Sequence, residues 1–297
     1  MKKSIKLFLI IALTVLFACQ KDIKLKPAQY DSQLSIECIL IPGQIPQLFL
    51  QSSVPFFSPN TTPSQLFVRG ASVSITGSFT DNLTTDSVFD KFRCRWIPFY
   101  KGAIPSQSGQ TYHLSVTYDD KTYTASTTIN QPKVSISTTS YVAEFHDVYG
   151  AHEGVIINFT DIAGSENFYR YQMSRAIDSS VYGSSSLGLI HSTCTNGALF
   201  YIREVSRSIY FDKGLDGQSM QLIVEPAYGH SQNDTAFVFV QSLDKNSAEF
   251  YDNLDKQKLA QYNPFIEPVF LKTKIAGCIG IFGSAVVSDS LLFVYPE

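Results

Sequence analysis

His113, His146, His152, His191 and His230 are the five histidines of this 297-residue chain, and with the carboxylates they could hold a metal or move a proton. They gather once, in EFHDVYGAHEG (residues 144–154), which brings His146, Asp147, His152 and Glu153 close in sequence. Imidazole with carboxylate is donor chemistry for zinc, and carboxylate alone suits calcium. The spacing here matches no ligand motif. An exposed polar loop accounts for it, and neither a metal nor any other cofactor is expected. Serine chemistry has two weak signals, GSSSLG (183–188) and GSA (283–285), which read as flexible loop and turn. There is no G-x-S-x-G, no H-E-x-x-H and no phosphate-binding loop. An exported hydrolase therefore stands only as an alternative, and no enzyme is expected.

The cysteine at position 19 carries a different chemistry. Lys2, Lys3 and Lys6 precede an apolar run at 7–17, broken only by Thr14. As a helix the run would be ~16 Å long at about 1.5 Å per residue, whereas a bilayer core takes roughly 20 apolar residues. That is the layout of a secretory signal. It ends in Leu16-Phe17-Ala18-Cys19, which resembles a bacterial lipobox, although Phe17 is bulkier than usual at its place. Cleavage before Cys19 and acylation of its thiol would anchor the chain, each buried CH₂ contributing ~0.8 kcal/mol. A plain signal, or a short membrane anchor with Cys19 incidental, is the other reading. Gln20-Lys21-Asp22 resembles the export tag of surface lipoproteins in Bacteroidota, with Ile23 where a second acid is frequent. The expected layout is a signal peptide at 1–18 and a lipidated tether at 19–30, on the outer membrane and facing the cell surface.

Cys38, Cys94, Cys194 and Cys278 contain no C-x-x-C pair, which argues against zinc and thioredoxin-like chemistry. An exported chain can oxidise them. Cys38–Cys94 with Cys194–Cys278 keeps each bridge within one proposed domain, and free buried thiols are the equal alternative. Aromatic residues could stack on a sugar or peptide ligand, or anchor an interface: Trp96, Phe99 and Tyr100 in CRWIPFYKG, and Tyr169 and Tyr171 in FYRYQMSR. Core packing explains them equally well. The net charge of −3, with no basic cluster, gives no case for nucleic acid.

These residues must be positioned by strands. The chain is 44% hydrophobic and only 16% charged, with 16 Tyr and 22 Phe, a composition that suits half-buried pleats. QLSIECILI (33–41) and QLFLQSSV (47–54) read as strands around a Pro42-Gly43 turn, and Val68, Ala71, Val73 and Ile75 mark another. The clearest hairpin is GQTYHLSVTYDDKTYTASTTI (109–129): Tyr112, Leu114, Val116 and Tyr118 alternate with His113, Ser115 and Thr117 across a turn at Asp119-Asp120-Lys121. Further strands are expected in KVSISTTSYVAEF, GVIINFTD, NFYRYQMSRAI, MQLIVEPAY and AFVFVQSL. Residues 246–262 lose the alternation and read as a helix capped by Ser247 and stopped by Pro264. The expected fold is mainly β: an immunoglobulin-like or fibronectin-like sandwich at 31–132, then a second β-rich domain at 133–297 with one or two short helices.

The C-terminal stretch NPFIEPVFLKTKIAGCIGIFGSAVVS (263–288) contains Asn263, Pro264, Phe265, Glu267, Pro268, Gly277, Gly280, Phe282 and Gly283. It resembles the closing motif of a Bacteroidota outer-membrane lipoprotein family, domain of unknown function 4249. Lys274 stands where that family often has Asn, and Cys278 where it often has a second Gly. Gly70-Ala71-x-Val73 and Gly109-x-x-Tyr112-x-Leu114 are similar too. The resemblance implies a lipid-anchored accessory or capture protein beside a TonB-dependent, SusC-type transporter, handling a small nutrient, peptide or glycan ligand. An adhesin or structural surface protein shares the same features. Read physically, the three glycines permit positive φ or close backbone approach, most simply as a tight turn packed into the core.

Overall fold

The computed structural model describes residues 30–55, 62–91, 94–147, 150–178, 199–206, 208–226, 229–262, 267 and 269–296. The leader with Cys19, the GSSSLG segment, Cys194, and Asn263, Pro264, Phe265 and Pro268 lie outside them. Among the described residues no helix is long and apolar enough to cross a membrane.

The protein is mainly β, as its composition implies. Strands β1 (Leu34–Leu40) and β2 (Gln47–Ser52) flank the Pro42-Gly43 turn, and a single helical turn, α1 (Pro63–Leu66), follows. Then come β3 (Ser72–Thr76), β4 (Thr80–Asp90), β5 (Arg95–Lys101), β6 (Thr111–Tyr118) and β7 (Lys121–Thr128). The second half supplies β8 (Ile136–Asp147), β9 (Gly150–Thr160), β10 (Phe168–Asp178), β11 (Leu199–Val205), β12 (Tyr210–Phe211), β13 (Ser219–Val224) and β14 (Thr235–Leu243). Helix α2 (Lys245–Tyr262), β15 (Ile279–Val287) and β16 (Leu291–Val294) complete the order. One sheet runs β11-β10-β14-β15-β1-β2-β5-β4-β3-β6-β7, with β12 beside β10 and β16 beside β14; β13-β9-β8 form a second.

The β6–β7 hairpin follows the sequence closely. Leu114 and Val116 are buried and pair with Ala125 and Tyr123. Asp119 and Asp120 both take positive φ, +50° and +56°, as a two-residue turn compatible with strand twist requires. β4–β5, by contrast, was not legible in the sequence, because Pro98 falls inside β5 opposite Ser87. Within β5, β2 pairs only with Lys101 and Tyr100, so Pro98 sits where β5 is an edge and needs no N–H toward β2.

The expected boundary at 132/133 is corrected. Ser32–Glu297 is one compact unit, and β1 from the first half runs parallel to β15 from the second, from Ser35↔Ile279 to Leu40↔Ser284. The boundary marks a change of core instead. Ile36, Cys38 and Leu40 face a core built by β1–β7 together with Ile275, Cys278 and Phe282. A second core lies among β9, β10, β13 and β14. Ile39 and Ile41, on the other face of β1, pack with Leu243, Ala248 and Ala285 under α2. A strand with apolar residues on both faces belongs inside a sheet, and β15 is what flanks it. Residues 277–283 accordingly continue into a central strand rather than ending in a turn.

Helix α2 is capped one turn earlier than expected. Asp244 Oδ1 accepts the Ser247 amide at 3.1 Å, and Ser247 is the third helical residue, its hydroxyl donating back to Asp244 Oδ2 at 2.5 Å.

Candidate functional site

Where β1 and β2 meet β10, β11, β14 and α2, the surface sinks into a cavity of about 300 Å³. Strand alternation fills it. On β10 the odd-numbered Tyr169, Tyr171 and Met173 point into the second core, which leaves Arg170 on the opposite face. On β11 the buried Ile202 and Glu204 alternate with the exposed Arg203 and Val205. On β1, Glu37 shares parity with Ile39 and so also faces the cavity.

The polar wall is tightly connected. Arg170 Nε donates to Gln241 Oε1 at 2.6 Å, and Gln241 Nε2 donates to Gln172 Oε1 at 2.7 Å. The guanidinium carbon of Arg170 lies 4.5 Å from the centroid of the Tyr251 ring, a cation–π arrangement. The Tyr251 hydroxyl donates to Glu37 Oε1 at 2.7 Å. Burial lowers the pKa of Arg170, and Arg203 pushes the same way against Tyr251 and Glu37. Burial, reinforced by Glu37, raises that of Tyr251. Ile39, Ile45, Pro46 and Phe49 add apolar lining.

Of the aromatic residues named from the sequence, Trp96 alone is open to solvent, at 56% exposure, edge-on to Phe89 at 5.2 Å. The other four are corrected to core positions. Phe99 and Tyr100 are buried, and the Tyr100 hydroxyl donates to Val68 O at 2.9 Å. Tyr169 is buried with its hydroxyl on Asp161 Oδ1 at 2.5 Å, and Tyr171 accepts the Glu225 amide at 3.2 Å. Each hydroxyl finds a partner inside, so none is presented to a ligand.

Both proposed disulfides are corrected as well. Cys38 and Cys278 are free and buried, since they point from β1 and the start of β15 into the first core. Burial raises both thiols, Cys38 further with help from Glu37 and Cys278 to about 11. Cys94, at the β4–β5 tip, is disulfide-bonded. Of the other cysteines only Cys19 and Cys194 are left, and both lie outside the described residues. A non-reducing peptide map should find Cys94 in a cross-linked peptide. Cys38 and Cys278 should resist iodoacetamide until the protein is denatured, because a buried protonated thiol is a poor nucleophile. Rapid alkylation of either in the native protein would contradict this placement.

Among the described residues the histidine–carboxylate stretch does not converge. His146 Nε2 lies 3.0 Å from Glu144, and His152 Nδ1 lies 3.1 Å from Glu225. Glu153 accepts the Tyr141 hydroxyl at 2.5 Å and meets His230 at 3.0 Å. Burial works to raise the Glu153 carboxyl, but Tyr141, His230 and Arg175 outweigh it and hold the group below its ordinary value. The serine of GSA, Ser284, is buried and donates to Thr128 O at 3.0 Å, a structural role that ties β15 to β7.

Among the described residues, the carboxylates that do converge are Asp161, Asp212 and Asp216, whose oxygens lie within 4.8 Å of one another. Asp161 takes Asn167 Nδ2 at 3.1 Å and the Gly217 amide at 2.8 Å. Asp212 takes the Asn167 amide and Asp216 the Gly164 amide, each at 2.8 Å. Burial, then Asp161, Asp216 and Glu166, raises Asp212. These bonds account for the cluster as a lock between two loops.

Sequence reasoning missed the cleft. Alternation in NFYRYQMSRAI separates Arg170 from Tyr169, Tyr171 and Met173, but YIREV (201–205) carries no clear strand pattern, so Arg203 has no position from sequence. Glu37 was a usable signal, as a lone charge with the parity of Ile39 and Ile41 in an apolar run.

The family model described as Domain of unknown function (DUF4249) matches residues 20–290. No curated protein matches the chain.

Proposed function

The chain belongs to the DUF4249 family, and from that premise we propose that it is a surface-exposed outer-membrane lipoprotein that captures a small ligand for a TonB-dependent, SusC-type transporter. The observation that carries this reading is the leader: an apolar run too short to span, ending at Cys19 and followed by a polar tether. Acylation there would hold the compact body Ser32–Glu297 at the membrane surface and raise its effective concentration near a transporter. The cleft at Arg170 supports a capture role, since concave sites with a few convergent polar groups suit small ligands. Trp96 and Phe89, exposed at a hairpin tip, have the chemistry of an interface anchor.

The test is an affinity purification from detergent-solubilised outer membranes through a tag at Glu297. A TonB-dependent barrel should co-purify, and Trp96→Ala should reduce its recovery. Mass spectrometry should find Cys19 acylated, and Cys19→Ala should release the protein from the membrane fraction. Acylated protein recovered without a barrel would favour the adhesin reading; an unmodified Cys19 would remove the premise of anchoring.

A further inference from the structure

The ligand class follows from the cleft's charges, an inference that rests on the capture reading for its biological purpose but not for its chemistry. Arg170 and Arg203 both line the cleft, and Arg203 disfavours the Arg170 charge, though less than Glu37 favours it. Among the described residues neither forms an ion pair. Glu37 is the only carboxylate lining the cleft among those residues, and it accepts the Tyr251 hydroxyl. Arg170 is fixed in place by Gln241 through Nε and by the Tyr251 side chain, and no carboxylate is hydrogen-bonded to its fork among the described residues. Arg203, on the exposed face of β11, stands at the mouth. Two guanidinium groups facing one concavity form a preorganised oxyanion site, because their planar donors match a carboxylate two by two. A ligand anion would also relieve the repulsion between them. Ile45 and Phe49 in the lining offer apolar contact, and Gln44 and Gln47 offer amides.

We infer that this cleft binds a small carboxylate with a short apolar body, the carboxylate held between Arg203 and Arg170 and the apolar part lying against Ile45 and Phe49. At about 300 Å³ the cavity is of the size that holds an acylated amino acid or short peptide end rather than a long chain.

The experiment is a ligand-observed NMR titration of the full-length lipoprotein in detergent micelles. N-acetylleucine is the probe, with its neutral primary amide and inorganic phosphate as comparators. N-acetylleucine should bind with a Kd of about 1 mM or tighter. The amide should show no binding. Arg203→Gln, an exposed substitution that should leave the melting temperature unchanged, should weaken the acid about tenfold, as loss of a charge-assisted bond implies. Arg203→Lys should recover only part of that loss. Equal binding of acid and amide, tighter binding of phosphate, no binding of the acid, or indifference to Arg203→Gln would each overturn the assignment. Transporter co-purification is unaffected by any of these results, so the two readings fail separately.

Discussion

Gly280→Ala should prevent the protein from folding stably. Gly280 has φ +148°, and a Cβ built there would stand 1.9 Å from Ile36 O and 2.8 Å from Ile36 C. These are backbone atoms of the neighbouring parallel strand, in register with Gly280 itself, so no rotamer change can relieve the contact. β15 cannot move away either, because it pairs with β1 on one side and β14 on the other. The clash therefore has to break the junction between the two cores. Overpacking plus a backbone conformation foreign to L-residues should cost about 3 kcal/mol or more, a large share of a domain's net stability. Gly43→Ala is the control. It too has positive φ, +78°, but nothing lies within 4 Å of its Cβ position, so it should cost only about 1 kcal/mol of backbone strain. Urea denaturation compares the two. A Gly280→Ala protein as stable as Gly43→Ala would show that the β1–β15 junction does not hold the fold together.

The same junction shows where the sequence stopped being informative. Alternation at Tyr112, Leu114 and Val116 fixed a hairpin because the pairing partners are adjacent in the chain and one face is buried. The β1–β15 pairing joins residues more than 240 positions apart, and periodicity within IGIFGSAVV cannot encode it, since nearly every side chain of that strand is buried. The glycines were the readable trace: Gly277, Gly280 and Gly283 permit positive φ or close backbone approach, read most simply as a tight turn, but nothing in the sequence says which strand approaches. The aromatic residues failed for the opposite reason. Tyr169 and Tyr171 looked like ligand-stacking residues by type, whereas their parity with Met173 already assigned them to the core. Applied to Arg170, the same parity pointed outward to the cleft. Its partner wall stayed hidden because β11 lies across a long connection with no turn signal of hairpin length.

Arg175→Met should destabilise the protein by about 3–5 kcal/mol, the range for stranding one member of a buried ion pair. Arg175 and Glu204 side chains are 2% and 6% exposed and meet as a fork, Nε to Oε2 at 3.0 Å and Nη2 to Oε1 at 3.1 Å. Nη1 donates to Gly229 O at 2.9 Å, so the guanidinium also pins the segment entering β14. Met fills much of the arginine stem's volume, which makes the loss electrostatic rather than a cavity effect. Glu204 would lose both bonds of the fork from Arg175. Glu153 would lose one of the groups that hold its carboxyl low. Stability contributed by that depression is present above the ordinary carboxylate range and lost as pH falls through the shifted value, so the variant's deficit should narrow at acid pH. The double variant Arg175→Met with Glu204→Leu separates charge from packing. With both charges gone it should recover most of the single variant's loss, because a matched apolar pair often equals a buried ion pair, and a double-mutant cycle in urea gives the coupling directly. A double variant as unstable as Arg175→Met would mean that the contact with Gly229, not the fork to Glu204, is what β10 and β11 depend on.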